Sequence, residues 1–143
     1  FNYIEKHGTP LYELINNNID DARKVFFVHG GTEVEDREQV RTITETESNA
    51  VIVASYGTFS TGINIKRLHN IVFASPSKSR IRNLQSIGRV LRKGEGKDIA
   101  TLYDVADDIG GQNYTLRHLN ERVNIYNDEN FKYEVIKVNL RAS

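Results

Sequence analysis

The chain has 143 residues, 38% of them hydrophobic and 27% charged, which is enough for one domain with its own core. Its formal net charge is zero, so bulk charge names no partner, and without cysteine it has neither disulfides nor thiolate metal sites. No apolar run approaches the roughly 20 residues that span a bilayer, and no signal-peptide pattern is visible; the lack of cysteine fits a reducing compartment, and a cytoplasmic setting is expected.

Phe1 to Ile4 reads as the tail of a strand whose start is missing, so the chain is expected to be part of a longer protein. Thr9 then Pro10 predicts a helix start, with Thr9 as N-cap and Leu11, Leu14 and Ile15 facing inward to about Asn17. Val25 to Val28 is a short, continuously apolar run of the kind found in strands covered on both faces. His29-Gly30-Gly31 marks a turn. Thr32 with Glu35 suggests a capping box that opens a helix to about Thr46. Val51 to Ala54 is a second buried strand. Ser55 to Asn64 reads as a hydroxyl-rich loop, and Ile71 to Ala74 as a third strand. A helix from about Ser79 to Arg92, a turn at Gly94 to Gly96 and a fourth strand from Ile99 to Val105 follow. A polar helix over about Tyr114 to Asn127 and a strand-like run from Phe131 to Leu140 close the chain. Strands alternating with helices define an α/β protein with a parallel sheet, whose ligands sit beyond the carboxyl ends of the strands. Two units are expected: residues 1–108 as the sheet-bearing lobe, incomplete at its first strand, and residues 109–143 as a helix and strand extension.

Charge is unevenly spread. Lys78 to Lys97 holds seven cations and one anion, so the rest of the chain carries the balancing −6. On a helix of 3.6 residues per turn, Arg82, Gln85, Arg89 and Arg92 share one stripe within roughly 80° of arc, opposite Leu84, Ile87 and Leu91. Aligned guanidiniums suit phosphate because each offers planar, paired donors and keeps its charge. Gly88 beside that stripe weakens the helix and exposes its backbone. A solvated helix face is the bland alternative.

The octet Gln85 to Arg92 resembles motif VI of the superfamily 2 helicases, Gln-x-x-Gly-Arg-x-x-Arg, at Gln85, Gly88, Arg89 and Arg92. The resemblance implies that Arg89 and Arg92 are catalytic arginine fingers on the γ-phosphate of ATP, with Gln85 also at the nucleotide. Phosphoryl transfer spreads charge over equatorial oxygens, which a placed guanidinium stabilises. Residues 55–64 resemble motif V, a strand-end hydroxyl followed by Gly-Ile-Asn, although the span from Ser55 to Gly62 is one residue longer than the common pattern. By resemblance, Gly62 and Asn64 lie near the nucleotide and the hydroxyls contact a DNA strand; which of Ser55, Thr58, Ser60 or Thr61 does so stays open. His29-Gly30-Gly31 with Arg37 resembles the segment after the second strand of the same lobe, which places Gly30 and Gly31 at DNA. Taken alone, Arg37 reads as a surface ion pair with Glu33.

The resemblance covers residues 1 to about 108 and implies a RecA-like parallel sheet flanked by helices. Residues 52–64, 85–93 and 130–140 are very similar to those of phage recombination helicases within that superfamily, which act in repair and recombination on forked and Holliday-type DNA with Mg-ATP as fuel. It therefore implies branched DNA or a single/double-strand junction as partner, ATP and Mg²⁺ as cofactors, and the host cytoplasm for a phage-encoded protein. Gly96-Lys97 is followed by Asp98 and makes no P-loop, and no strand ends in an Asp-Glu pair for Mg²⁺. Those parts are expected on an N-terminal RecA-like lobe of the same protein, leaving this chain inactive alone. No metal site is read in this chain: the four histidines are scattered, and Asp104, Asp107 and Asp108 read as strand-end and turn acids. The rivals are a non-motor nucleic-acid-binding module that uses the basic helix alone, and a stand-alone nucleotide-binding domain, for which the glycine-rich fingerprint is missing.

Overall fold

Four of the apolar runs become strands, joined in two pairs that are each parallel. The computed structural model describes residues 1–62, 65, 68–74, 100–110 and 114–140, with the backbone alone for residues 60–62. Strand β1 (Lys24–Val28) pairs with β2 (Ala50–Ala54) in a register from Lys24 opposite Ala50 to Val28 opposite Ala54. Strand β3 (Asn70–Phe73) pairs with β4 (Thr101–Asp104), from Asn70 opposite Thr101 to Phe73 opposite Asp104. The single parallel sheet expected from the sequence is thus realised, among the described residues, as two parallel pairs. The predicted helix 79–92 and turn 94–96 lie outside the described residues.

The first residues depart from expectation. Phe1 to Tyr3 form no strand, yet Phe1 bonds to β2 on the edge away from β1. Its backbone nitrogen donates to the Ala54 carbonyl at 2.9 Å, and its carbonyl accepts from Tyr56 N–H at 3.0 Å. A π-helical turn, Ile4–Gly8, then runs straight into helix α1 (Thr9–Asn18). Thr9 is therefore no N-cap: Gly8 before it is already helical, and the Thr9 N–H finds the Ile4 carbonyl. Gly8 is required by packing, since a Cβ there would sit 2.6 Å from the Phe1 ring. Tyr12 of α1 stacks on Phe27 of β1, with ring centroids 5.3 Å apart. Leu14, expected inward, is exposed.

Helix α2 (Val34–Thr46) follows β1, and helix α3 (Tyr56–Gly62) follows β2. Residues 56–62 of the segment read as a hydroxyl-rich loop therefore form a helix. Two apolar clusters meet beneath these helices. Val28 and Ile65, both fully buried, gather Phe26, Val40 and Ile52. Tyr56, Phe73 and Tyr126 gather Ile71, Leu102 and Val123. Phe59 of α3 packs against both, so α3 joins the β1–β2 pair to the β3–β4 pair.

Helix α4 (Tyr114–Asp128) supplies Tyr126, with Val123 and Ile125, to the second cluster, so this helix packs on the core of the lobe. The helix ends in a Schellman motif. Asn130 takes a positive φ of 56°, its N–H bonds to the Asn127 carbonyl, and the Phe131 N–H bonds to the Tyr126 carbonyl. The apolar contact that accompanies such motifs is the edge-on packing of Phe131 against Tyr126. Beyond it, residues 131–140 form no strand, contrary to expectation. After Tyr133, which still faces Tyr126, exposure rises to 91% at Leu140.

Candidate nucleic-acid interface at the carboxyl rim

Because the strands are parallel, their carboxyl ends share a direction within each pair. The exit of β1 is the His29 to Thr32 turn. Thr32 caps no helix there: its Oγ1 accepts the His29 N–H at 3.0 Å, and its own N–H returns to the His29 carbonyl at 3.0 Å. The cap of α2 is Glu33, whose side chain makes no capping bond, so the predicted capping box is replaced by a closed turn. The Gly31 N–H donates to His29 Nδ1 at 3.0 Å. Gly30 is exposed, and a Cβ added to it would meet nothing within 4 Å. The rim therefore presents bare backbone at Gly30.

Arg37 sits one turn into α2. No Glu33–Arg37 ion pair forms among the described residues, which corrects the surface-pair expectation. Its Nε is buried and has no hydrogen-bond partner among the described residues.

Ser55, the exit residue of β2, is held on both sides. Its N–H extends the ladder to the Val28 carbonyl at 3.1 Å, and its Oγ accepts the Thr58 N–H at 3.4 Å and contacts Thr58 Oγ1 at 2.8 Å. Ser55 thus caps α3, which is why a segment rich in hydroxyls winds into a helix. Thr58, one of the candidate DNA contacts, is only 5% exposed, and its hydroxyl is turned to Ser55. Ser55 is half-buried. The side chains of Ser60 and Thr61, together with Asn64, Gln85, Arg89 and Arg92, lie outside the described residues; Gly62 ends α3.

At the exit of β4, Asp104 accepts Arg122 Nε at 2.7 Å and Arg122 Nη2 at 2.8 Å, while the Tyr126 hydroxyl donates to it at 2.6 Å. Arg122 is 2% exposed, the largest fully buried side chain among the described residues. Asp104 is thus a structural partner of α4. Sequence reading missed Arg122, because its only local signal is a place on the inner face of α4, four residues before Tyr126. Among the described residues, no group of three His, Asp or Glu is arranged to hold a metal ion.

Burial first, then the hydrogen bond to the Asp104 carboxylate, pushes the Tyr126 phenol well above its ordinary range. A group whose folded pKa is raised contributes stability that is full below its unfolded pKa and is lost as pH climbs toward the folded value. For a tyrosine that window opens near about pH 10. Tyr126→Phe is expected to flatten the alkaline loss of stability relative to wild type. Urea unfolding followed from neutral pH to above that point measures it, and parallel curves for the two proteins would contradict the buried bond.

The architecture and its glycine and hydroxyl rim define the class. The chain belongs to the family described as the helicase conserved C-terminal domain, which it matches over residues 3–94, more than half its length. With this membership, the parallel strands and flanking helices are those of a RecA-like helicase C-terminal lobe. Among individual proteins, it is 42% identical over 147 aligned positions to the ATP-dependent DNA helicase UvsW of Enterobacteria phage T4. That alignment takes in 94% of this chain but only 29% of the relative, so the chain spans less than a third of the protein it matches. No solved structure matches the chain. Among the described residues, no helix is long and apolar enough to cross a membrane.

Proposed function

We propose that this chain is the second motor lobe of an ATP-dependent superfamily 2 DNA helicase or translocase that remodels branched DNA in recombination and repair. The observation that carries the reading is the octet Gln85 to Arg92, complete at its four defining positions in a chain of the helicase C-terminal family. The similarity to a DNA helicase supports DNA as the polymer and ATP, with Mg²⁺, as fuel. In this reading residues 1–108 are the lobe proper and residues 109–143 brace it. Arg89 and Arg92 act as fingers on the γ-phosphate, with Gln85, Gly62 and Asn64 beside the nucleotide. ATP and Mg²⁺ are held mainly by a partner RecA-like lobe that carries the P-loop this chain lacks.

The rim supplies the DNA contacts. Backbone N–H groups and hydroxyls at strand ends suit sugar and phosphate, which position a strand without reading its sequence. The open Gly30 backbone supports a contact there with Gly31. Ser55, with Ser60 and Thr61, is favoured over Thr58, whose hydroxyl serves the α3 cap. Closure of the two lobes around ATP would shift these contacts along the strand.

Two measurements test the reading. The isolated chain should bind DNA weakly, because half of the track lies on the partner lobe. Tight binding with a steep salt dependence would instead favour the non-motor module. In the full-length protein, Gly30→Ala should leave unfolding unchanged, because the new methyl meets open space. The same change should lower DNA affinity several-fold by blocking approach to the backbone; an unaltered affinity removes Gly30 from the interface.

A further inference from the structure

We propose that the cleft beyond the carboxyl ends of β3 and β4 is an oxyanion site that takes a phosphoryl group on Arg122. The cleft has a volume of about 500 Å³, and Lys6, His7, Ala74, Asp107, Thr115 and Arg122 are among its walls. It lies where parallel α/β sheets accept ligands, just past Phe73 and Asp104.

Arg122 is the centre of the site. Its Nε and Nη2 are held by Asp104, whereas Nη1 is buried and has no hydrogen-bond partner among the described residues. An orphaned donor on a charged group is costly, more so than a neutral one. A phosphate oxygen is the acceptor that a guanidinium edge fits best. Asp104 leaves Nη1 unanswered.

Two further features point the same way. Thr115 and Arg122 are seven residues apart on α4, two turns along one face, so the first turn of the helix enters the same cleft. That turn contains no acidic residue and carries the positive end of the helix dipole. Lys6, from the π-helical turn, also lines the cleft and adds a positive charge beside that of the Asp104-paired Arg122. Asp107 is the acidic side chain in the lining. The Thr115 hydroxyl donates to its backbone carbonyl, which ties the start of α4 to the exit of β4.

The site does not depend on the motor role, because it uses neither the arginine octet nor the Gly30 turn. The phosphoryl group could belong to a nucleic-acid strand or be free in solution, and the test separates the two. The ¹⁵N-labelled 143-residue chain is titrated with inorganic phosphate and, separately, with oligothymidylate. Saturable shifts of the Arg122 side-chain N–H and the Thr115 amide are expected, and Lys6→Glu, at an exposed position, should weaken binding several-fold without disturbing the rest of the spectrum. Arg122→Lys keeps a charge for Asp104 but lacks the second amino group, and should also weaken it. Saturation by oligothymidylate alone assigns the site to a strand; saturation by phosphate alone assigns it to a free phosphoryl group. No saturable Arg122 shift with either probe, or affinities indifferent to Lys6→Glu, overturns the site.

Discussion

Arg92→Ala in the full-length protein is expected to lower DNA-stimulated ATP turnover by about 1,000-fold or more, the range seen when an arginine finger is removed. The size follows from what the group does. A finger contributes most in the transition state, where negative charge on the transferring phosphoryl group is greatest, so its loss appears in turnover and little in nucleotide affinity. Arg92→Lys separates charge from shape. Lysine keeps one positive charge but loses the paired planar donors, so partial activity at best is expected. Folding should be untouched, because the sequence places Arg92 on the polar stripe of its helix, opposite Leu84, Ile87 and Leu91. Wild-type turnover in Arg92→Ala, at saturating ATP and DNA, would refute the finger assignment and with it the motor reading.

The strands were legible because each is a run of β-branched and aromatic residues short enough to leave no other choice. Val25 to Val28, Val51 to Ala54 and Ile71 to Phe73 all sit inside observed strands. Short-range polar chemistry was harder to read. Thr32 and Glu35 have capping-box spacing, but the Thr32 hydroxyl closes the turn back to His29, three residues upstream. Ser55 and Thr58 belong to a string of loop-forming residues, yet together they cap a helix. Hydroxyl side chains bond backbone in either direction with similar ease, and tertiary packing of Tyr56 and Phe59 decides between the outcomes. The fate of residues 131–140 shows the reverse error. Their alternation is strand-like, but a strand needs a neighbour, and none is supplied among the described residues. In the candidate site, the motif resemblance located the glycine turn and the Ser55 exit from local spacing alone. Arg122 was out of reach: a buried arginine makes sense only beside its carboxylate, and Asp104 lies eighteen residues back, a relation visible only once β4 and α4 are packed together.

That pair should dominate the stability of the lobe. Arg122→Met is expected to destabilise the chain by about 3–5 kcal/mol, the usual consequence of leaving one partner of a buried ion pair behind. Asp104 is then a carboxylate with 10% of its side chain exposed, keeping the Tyr126 hydroxyl but losing both guanidinium bonds. The loss comes from the stranded charge more than from the missing bonds, because two charges taken from water to form the pair already carried a desolvation cost. Asp104→Asn combined with Arg122→Met should therefore recover a large part of the deficit, despite removing both halves of the interaction. A double-mutant cycle by urea unfolding measures this coupling directly. Strict additivity of the two single changes, or a loss below about 1 kcal/mol for Arg122→Met, would mean that the pair is solvated and that α4 is held to the sheet by Tyr126 and its apolar neighbours alone. If the coupling is found, the brace at the exit of β4 fixes the middle of the final helix relative to the rim, so residues outside the matched family segment help to set the geometry of the lobe itself.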